Sequence, residues 1–522
     1  MADPPLGGVP APALGALSAV MPGFGESTSG APMMPRLSRL LAEPAPLPWL
    51  EGRRWTPWFI VGLVSIGAFV GQLDATIVQL ALPTLGRAFG VSLDQVSWVA
   101  LSYLLAFASF LPIFGQLCDM VGRKSLYIAG YALFIVASAL CALAGSFEQL
   151  LAFRFLQGIG GALLGANSIA ILVKTVTPAD RGRALGYFAA AQAIGMSAGP
   201  ALGGFILVTL GWRWIFWITV PFGALAMVTG WLALPRAAVT TSGKRFDWGG
   251  AVLIGPALIL LIATLNHLAS WGVGSPVTLG CLAGAGAMLW LLARRERRAA
   301  SPLIDPRLFA SLAFRCGAAA VACAYALLYG VFFLMSFAQE HGYGESPAQA
   351  GLRLALIPVA LGLAAPFSHV VKERLGERRV GMLGMGLCLG CIAILFLAAG
   401  MPPRHHLLDP LAYVMVGVGL GLFIAPNNNA TIAAAPAALS GTAGALLNLM
   451  RVLGTSLGVA AGAAVLGWRL RVEAGAGQDW MTADAGDLLA AFQGSLPVLA
   501  VLAVGAALAA RVAASGPRHE QA

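Results

Sequence analysis

Asp74 and Arg154 are the residues best placed to do chemistry, because each is an ionisable group inside a long apolar stretch. Asp74 lies in LDATIVQLALP, residues 73–83, seventeen positions into an apolar segment that starts near Pro57. The other 21 acidic residues read as belonging to tails, loops or helix ends. A charge at that depth costs about 2.5–3.5 kcal/mol on insertion scales, so an acid there is expected to have a function. Holding a proton removes the cost, which makes Asp74 a candidate proton carrier. At 1.5 Å per residue Asp74 stands about 25 Å from the start of its segment. Arg154 comes five residues into a segment running the other way, so the two should share a depth. A nearby cation favours the carboxylate and burial disfavours it. A conformational change that varies their separation would therefore swing proton affinity, as a proton-coupled carrier requires. A static ion pair between two helices is the alternative.

The elements that must hold these groups are membrane helices. The chain is 58% hydrophobic and 10% charged, against roughly 25% charged in soluble domains. Its apolar runs are long enough to cross a core about 30 Å thick, and they are continuous, unlike the alternating strands of a barrel. Fourteen spans are expected near 57–83, 95–115, 125–146, 149–173, 185–208, 213–234, 248–268, 276–293, 315–338, 347–370, 380–400, 410–435, 441–466 and 488–511. With both termini cytoplasmic, the inside segments hold 24 Lys and Arg and the outside loops five. That bias sets the orientation. The net charge of +10 then reflects topology and anionic lipid, and no nucleic-acid partner is needed.

The remaining composition excludes several classes. Residues 1–54 read as a disordered cytoplasmic tail without the basic start of a signal peptide, and 512–522 as a second tail. Cys388 and Cys391 are one helical turn apart, but no His or second pair accompanies them, so packing outweighs metal binding. His405 and His406 are expected to be solvated in an outside loop. The outside loop near 467–487 is polar and too short for a core of its own. No P-loop or nucleophile motif points to an enzyme, and no cofactor is expected beyond the proton as coupling ion.

An internal repeat organises the spans. GQLCDMVGRK (115–124) follows span two and KERLGERR (372–379) follows span ten. Aligning Asp119 with Glu373 also aligns Gly122 with Gly376, with basic residues after both. A parallel duplication of six-helix halves fits. It gives bundles at 55–236 and 301–511, with two inserted helices within 237–300.

These motifs resemble the major facilitator superfamily, and within it the fourteen-helix drug:proton antiporters of the EmrB and QacA type. The likeness runs from about 57 to 511. LDATIVQLALPTL (73–85) looks like the first-helix signature, GQLCDMVGRK like the cytoplasmic loop motif, and RFLQGIGGA (154–162) like the motif carrying a buried Arg. GMSAGPALGG (195–204) resembles the antiporter motif; WRWIFWITVPFG (212–223) and AGALLNLMRVLGTSLGV (443–459) look like further branch signatures. The resemblance implies proton-driven export of lipophilic compounds across the inner membrane by alternating access. An importer or exporter of a specific metabolite on the same fold, and a non-transporting scaffold or sensor, are the competing readings. A periplasmic adaptor and an outer-membrane channel would be available as further partners in a Gram-negative host. Two positions depart from the pattern: Met120 replaces a basic residue in the loop motif, leaving its charge network one member short, and Thr219 replaces an Asn.

Each motif also has a direct physical reading. Asp119 near a helix C-terminus needs partners; with Gly115, Gly122, Arg123 and Lys124 it forms a candidate latch, although Arg123 and Lys124 also serve as inside anchors. Gly195, Gly199 and Gly203 recur every fourth residue and let another helix approach closely, and Pro200 removes a backbone donor and is expected to kink the span. The resemblance puts this stripe, with Gly204, where the two halves separate. Span thirteen carries Gly444, Asn448, Arg451 and Thr455 at helical spacing. Arg451, near the midplane, either bonds its polar neighbours or faces a cavity. Phe69, Gln72, Tyr103, Gln157, Asn427, Asn428 and Asn448 are further candidates for the substrate cavity. With one acid and three arginines inside the spans, the expected substrate is neutral, anionic or monocationic and not a dication.

Overall fold

The computed structural model describes residues 47–50, 52–235, 246–272, 274–299, 301–399, 408–475 and 480–513. The tail readings for residues 1–46 and 514–522, and that for His405 and His406, lie outside the described residues. Among the described residues fourteen helices are long and apolar enough to cross a membrane, and no strand occurs. In order they are Thr56–Phe89, Leu93–Val121, Arg123–Leu143, Phe147–Thr175, Pro178–Thr209, Trp214–Ala233, Trp248–Asn266, Pro276–Glu296, Leu312–Gly342, Pro347–Leu375, Glu377–Ala399, Asp409–Ala433, Ser440–Glu473 and Ala485–Ala513. We call these spans one to fourteen. An even number returns the chain to the end where it began; that end is termed proximal and the opposite end distal. The protein is a multi-pass, all-helical membrane protein.

Local sequence explains where the helices start and stop. Span one opens with Pro57 in its first turn, where a missing N–H leaves nothing unbonded, and closes at Gly90 in the left-handed region (φ 65°). Spans two and ten begin alike. Ser92 N–H donates to Gln95 Oε1 (3.0 Å), and Ser346 N–H to Gln349 Oε1 (3.1 Å). Each serine hydroxyl accepts in return from the glutamine N–H (3.4 and 3.3 Å), which completes a capping box. They also end alike, at Gly122 (φ 119°) and Gly376 (φ 81°). Start and stop are each displaced by 254 residues, the displacement that aligns Asp119 with Glu373. The duplication is thus written into caps as well as loops.

Small residues set the packing. A Cβ on Gly195 would collide with the Phe69 carbonyl, one on Gly199 with Thr76, and one on Gly203 with Ile77, all on span one. The second half repeats this: Gly454 and Gly458 of span thirteen lie against the backbone of Ala322 and Ala326 on span nine. Spans seven and eight pack together outside the halves, with span seven against both span two and span thirteen. Asn266 at its end donates to the Asp94 carbonyl (2.9 Å) and accepts from the Ser97 hydroxyl (2.9 Å).

Candidate functional site

Span one carries Asp74 and span four carries Arg154, and the helices bring them together in the first half with 0% and 1% side-chain exposure. Arg154 Nη1 donates to Asp74 Oδ2 at 2.9 Å. Gln157, one turn beyond Arg154, donates through Nε2 to Asp74 Oδ1 (2.9 Å) and accepts from Arg154 Nη1 (2.6 Å). Arg154 Nε reaches the Val99 carbonyl on span two (3.0 Å). The network continues from Gln157 to Ser138 on span three (2.8 Å) and on to Thr219 on span six (3.2 Å). Thr219, the departure from the family's Asn, is therefore a member of this network. Both carboxylate oxygens are occupied and every partner is buried, so charge here is fully compensated.

Beside the network lies a cavity with roughly 750 Å³ of atom-free space, open solvent included. Gln72, Tyr103 and Phe107 line it from the first half, and Tyr325, Tyr329 and Arg451 from the second. The Tyr103 ring belongs to both sites: it forms cavity wall, and the Arg154 guanidinium carbon sits 4.5 Å from its centroid. Of the two arrangements open to Arg451 from sequence, the structure adopts the cavity-facing one. Among the described residues no hydrogen bond or ion pair holds its guanidinium.

Several expected cavity residues stand elsewhere. Gln157 is fully buried in the Asp74–Arg154 network and does not line the cavity. It lies three residues from Arg154 and so shares its helix face, a signal that the sequence already contained. Phe69 packs edge-on to Phe222 (5.9 Å), and its carbonyl faces Gly195. Asn427 donates to the Gly317 carbonyl (3.1 Å) beside a small proximal crevice of the second half. Asn428 and Asn448 are off the cavity wall.

The loop motif ties helices of the first half to one another. Arg123 pairs with Asp119 (2.5 Å) and reaches the Ala166 carbonyl and Asn167 on span four (3.3 and 3.4 Å). Lys124 is buried and donates to the Leu234 carbonyl at the end of span six (2.6 Å), so it caps a helix and is not a surface anchor. Gly122 makes the turn, and Gly115 has open space around it.

The antiporter stripe also needs correction. Gly195, Gly199 and Gly203 face span one inside the first half. The adjoining Pro200 carbonyl and Gly204 meet the other half, at Gly351 and Pro347 of span ten. One residue along a helix turns about 100°, so neighbouring glycines serve different interfaces.

This contact belongs to a distal seam that sequence did not reveal. Arg87 bonds Glu340 across the halves (2.6 Å). Glu340, expected beyond a span ending at 338, instead lies in a π-helical last turn, Ala338–Gly342, and is buried. Trp480, from the loop read as merely polar, is 1% exposed; its indole donates to the Val91 carbonyl (3.2 Å) and its ring covers Gly86. Nearby, Gln339 donates to the Tyr413 hydroxyl (2.6 Å), and Arg353 pairs with Glu345 (2.7 Å). The Arg87–Glu340 and Trp480–Val91 contacts join the two halves at this end.

Two like halves around a shared cavity, one of them holding a sealed ion pair, define a membrane carrier. The chain belongs to the major facilitator superfamily, whose model matches residues 64–459. It is 33% identical over 414 residues to the tetracenomycin C resistance and export protein of Streptomyces glaucescens, covering 78% of this chain and 76% of that one. It is 31% identical over 432 residues to the putative multidrug resistance protein MdtD of Salmonella paratyphi B, covering 80% and 87%. The riboflavin transporter RibZ of Clostridioides difficile is 29% identical over 403 residues, with 77% and 87% covered. A bacterial homolog of the human lysosomal transporter Spinster, solved inward-facing and unoccupied, shares the fold with a TM-score of 0.63 at 17% identity, covering 88% of this chain and 98% of that one. The protein is a non-enzymatic transporter of the fourteen-helix drug-efflux type.

Proposed function

We propose that the protein exports lipophilic small molecules in exchange for protons entering the cell across the inner membrane, with both termini cytoplasmic. The observation that carries this reading is the position of Tyr103. Its ring lines the cavity and also covers Arg154, whose partner Asp74 is the acid able to take a proton. Movement of substrate against this ring, or of span one against span four, would alter the contacts on which the Asp74 carboxylate depends. Relatives named for resistance and export support the outward direction, and the excess of Lys and Arg on the proximal side supports the orientation. Each proton entering supplies about 2.3 kcal/mol per 100 mV. The two halves would rock about the central cavity, with the distal seam closed in the state described. A relative named as a riboflavin transporter keeps a second reading open: a carrier for one specific metabolite.

Substrate-dependent proton flux in proteoliposomes tests the reading. Adding a transported dye to one side should move protons the opposite way in the native protein and not in Asp74→Asn. Dye transport that proceeds without proton movement would refute it.

A further inference from the structure

We propose that Arg451 is the anchor of the substrate site and that it selects aromatic anions, such as carboxylates and ionised phenols, over cations. The proposal rests on reading the cavity as the substrate site and adds the charge of what enters it. Arg451 lines the cavity, and among the described residues its guanidinium has no hydrogen bond and no ion pair. The contrast with Arg154 is informative, because the protein compensates that arginine with a carboxylate, a carboxamide and a carbonyl. No Asp or Glu lines the cavity among the described residues. An arginine left without a counter-charge in a largely apolar wall can take a planar oxyanion through its fork of donors.

The rest of the wall fits the same ligand. Tyr103, Phe107, Tyr325 and Tyr329 supply ring faces and edges for an aromatic body. Gln72 Oε1 is buried without a donor, ready to accept from a ligand hydroxyl or N–H. A cation would find ring faces here but would also meet Arg451, and Asp74 has both of its oxygens occupied behind Tyr103.

Three probes on one ring system test this: 2-naphthoate, 2-naphthamide and (2-naphthylmethyl)trimethylammonium. Binding is measured on the purified full-length protein by tryptophan quenching and isothermal titration, with no ion gradient present. Native protein should bind the carboxylate about tenfold or more tightly than the amide, as expected for one added charge-assisted hydrogen bond, and the ammonium most weakly. Arg451→Gln should erase the carboxylate-to-amide ratio, with the carboxylate weakened more than the amide. Arg451→Lys should keep part of the ratio. Equal binding of carboxylate and amide by native protein, or tighter binding of the ammonium, overturns the proposal even if Arg451→Gln fails to fold. An unchanged ratio in folded Arg451→Gln overturns it as well. If none of the three binds, the proposal for Arg451 falls, while the export reading is decided separately by proton flux. Proton-flux results do not enter this comparison, so loss of proton coupling alone leaves the charge preference standing or falling on its own.

Discussion

Replacing Asp74 by Asn keeps the size of the side chain while removing its ability to carry a proton. The geometry is less permissive. Asp74 accepts twice, from Arg154 Nη1 and Gln157 Nε2, each at 2.9 Å. An asparagine has one acceptor, so its amide nitrogen must face one of these donors. Turning the Gln157 amide over would accept from the new nitrogen but would present Nε2 to Arg154, 2.6 Å away. One donor–donor confrontation therefore survives in every arrangement, and Arg154 is left charged and buried without a counter-ion. Breaking a buried pair by removing one partner costs about 3–5 kcal/mol. Asp74→Asn and Arg154→Gln should each lose about that much stability. The double variant should lose clearly less than their sum, because it removes the stranded charge. The Arg154–Val99 bond is lost in both variants lacking Arg154 and cancels in the cycle. Denaturation of the four proteins in mixed micelles measures the coupling. Additivity to within about 0.5 kcal/mol, or an Asp74→Asn protein as stable as the native one, would refute the argument. Proton-driven dye efflux should be absent from all three variants, including the restabilised double.

Two further outcomes follow from the seam between the halves. Arg87→Glu should place like charges across it and speed amide hydrogen exchange several-fold over residues 340–353; the charge exchange Arg87→Glu with Glu340→Arg should restore slow exchange, and faster exchange in both would mean the pair does not hold the seam. Gly204→Ala should keep thermal stability near native but favour a state open at the distal end, seen as exchange at 347–351, whereas Gly195→Ala presses on the Phe69 carbonyl and should cost about 1–3 kcal/mol of stability without that signature.

What could be read from sequence was whatever depends on one helix at a time. Fourteen apolar runs become fourteen spans because length and continuity suffice to specify them. The common depth of Asp74 and Arg154 follows from counting residues along two helices. Rotational phase was harder: Gln157 belongs with Arg154 by spacing alone, while Gly203 and Gly204 look like one stripe until neighbours are placed on two sides. Contacts between distant segments were illegible. Arg87 and Glu340 are 253 positions apart, and nothing local marks an arginine in a helix's last turn as the partner of a buried acid. Trp480 was hidden for a similar reason, because a polar loop can still deliver one large side chain into a seam made by other helices.

The sign of the link between protons and substrate remains the sharpest test of exchange. If the substrate is an aromatic anion held by Arg451, local charge favours protons and substrate together: a proton on Asp74 leaves the Arg154 charge uncompensated behind Tyr103, and that attracts an anion. Taken alone, this would make acid strengthen binding, the behaviour of a carrier that moves both in one direction. Exchange requires the reverse, with protonation favouring the conformation that releases substrate. Coupling is reciprocal and typically about 5–150-fold, so it can be read from either ligand. Acidification should therefore weaken binding of 2-naphthoate, which stays ionised throughout the neutral range, in native protein. Asp74→Asn/Arg154→Gln should show no such dependence. Weakening in the native protein means that conformation outweighs local charge, as exchange demands. Strengthening that disappears in the double variant would leave the Arg451 site intact and overturn exchange in favour of co-transport.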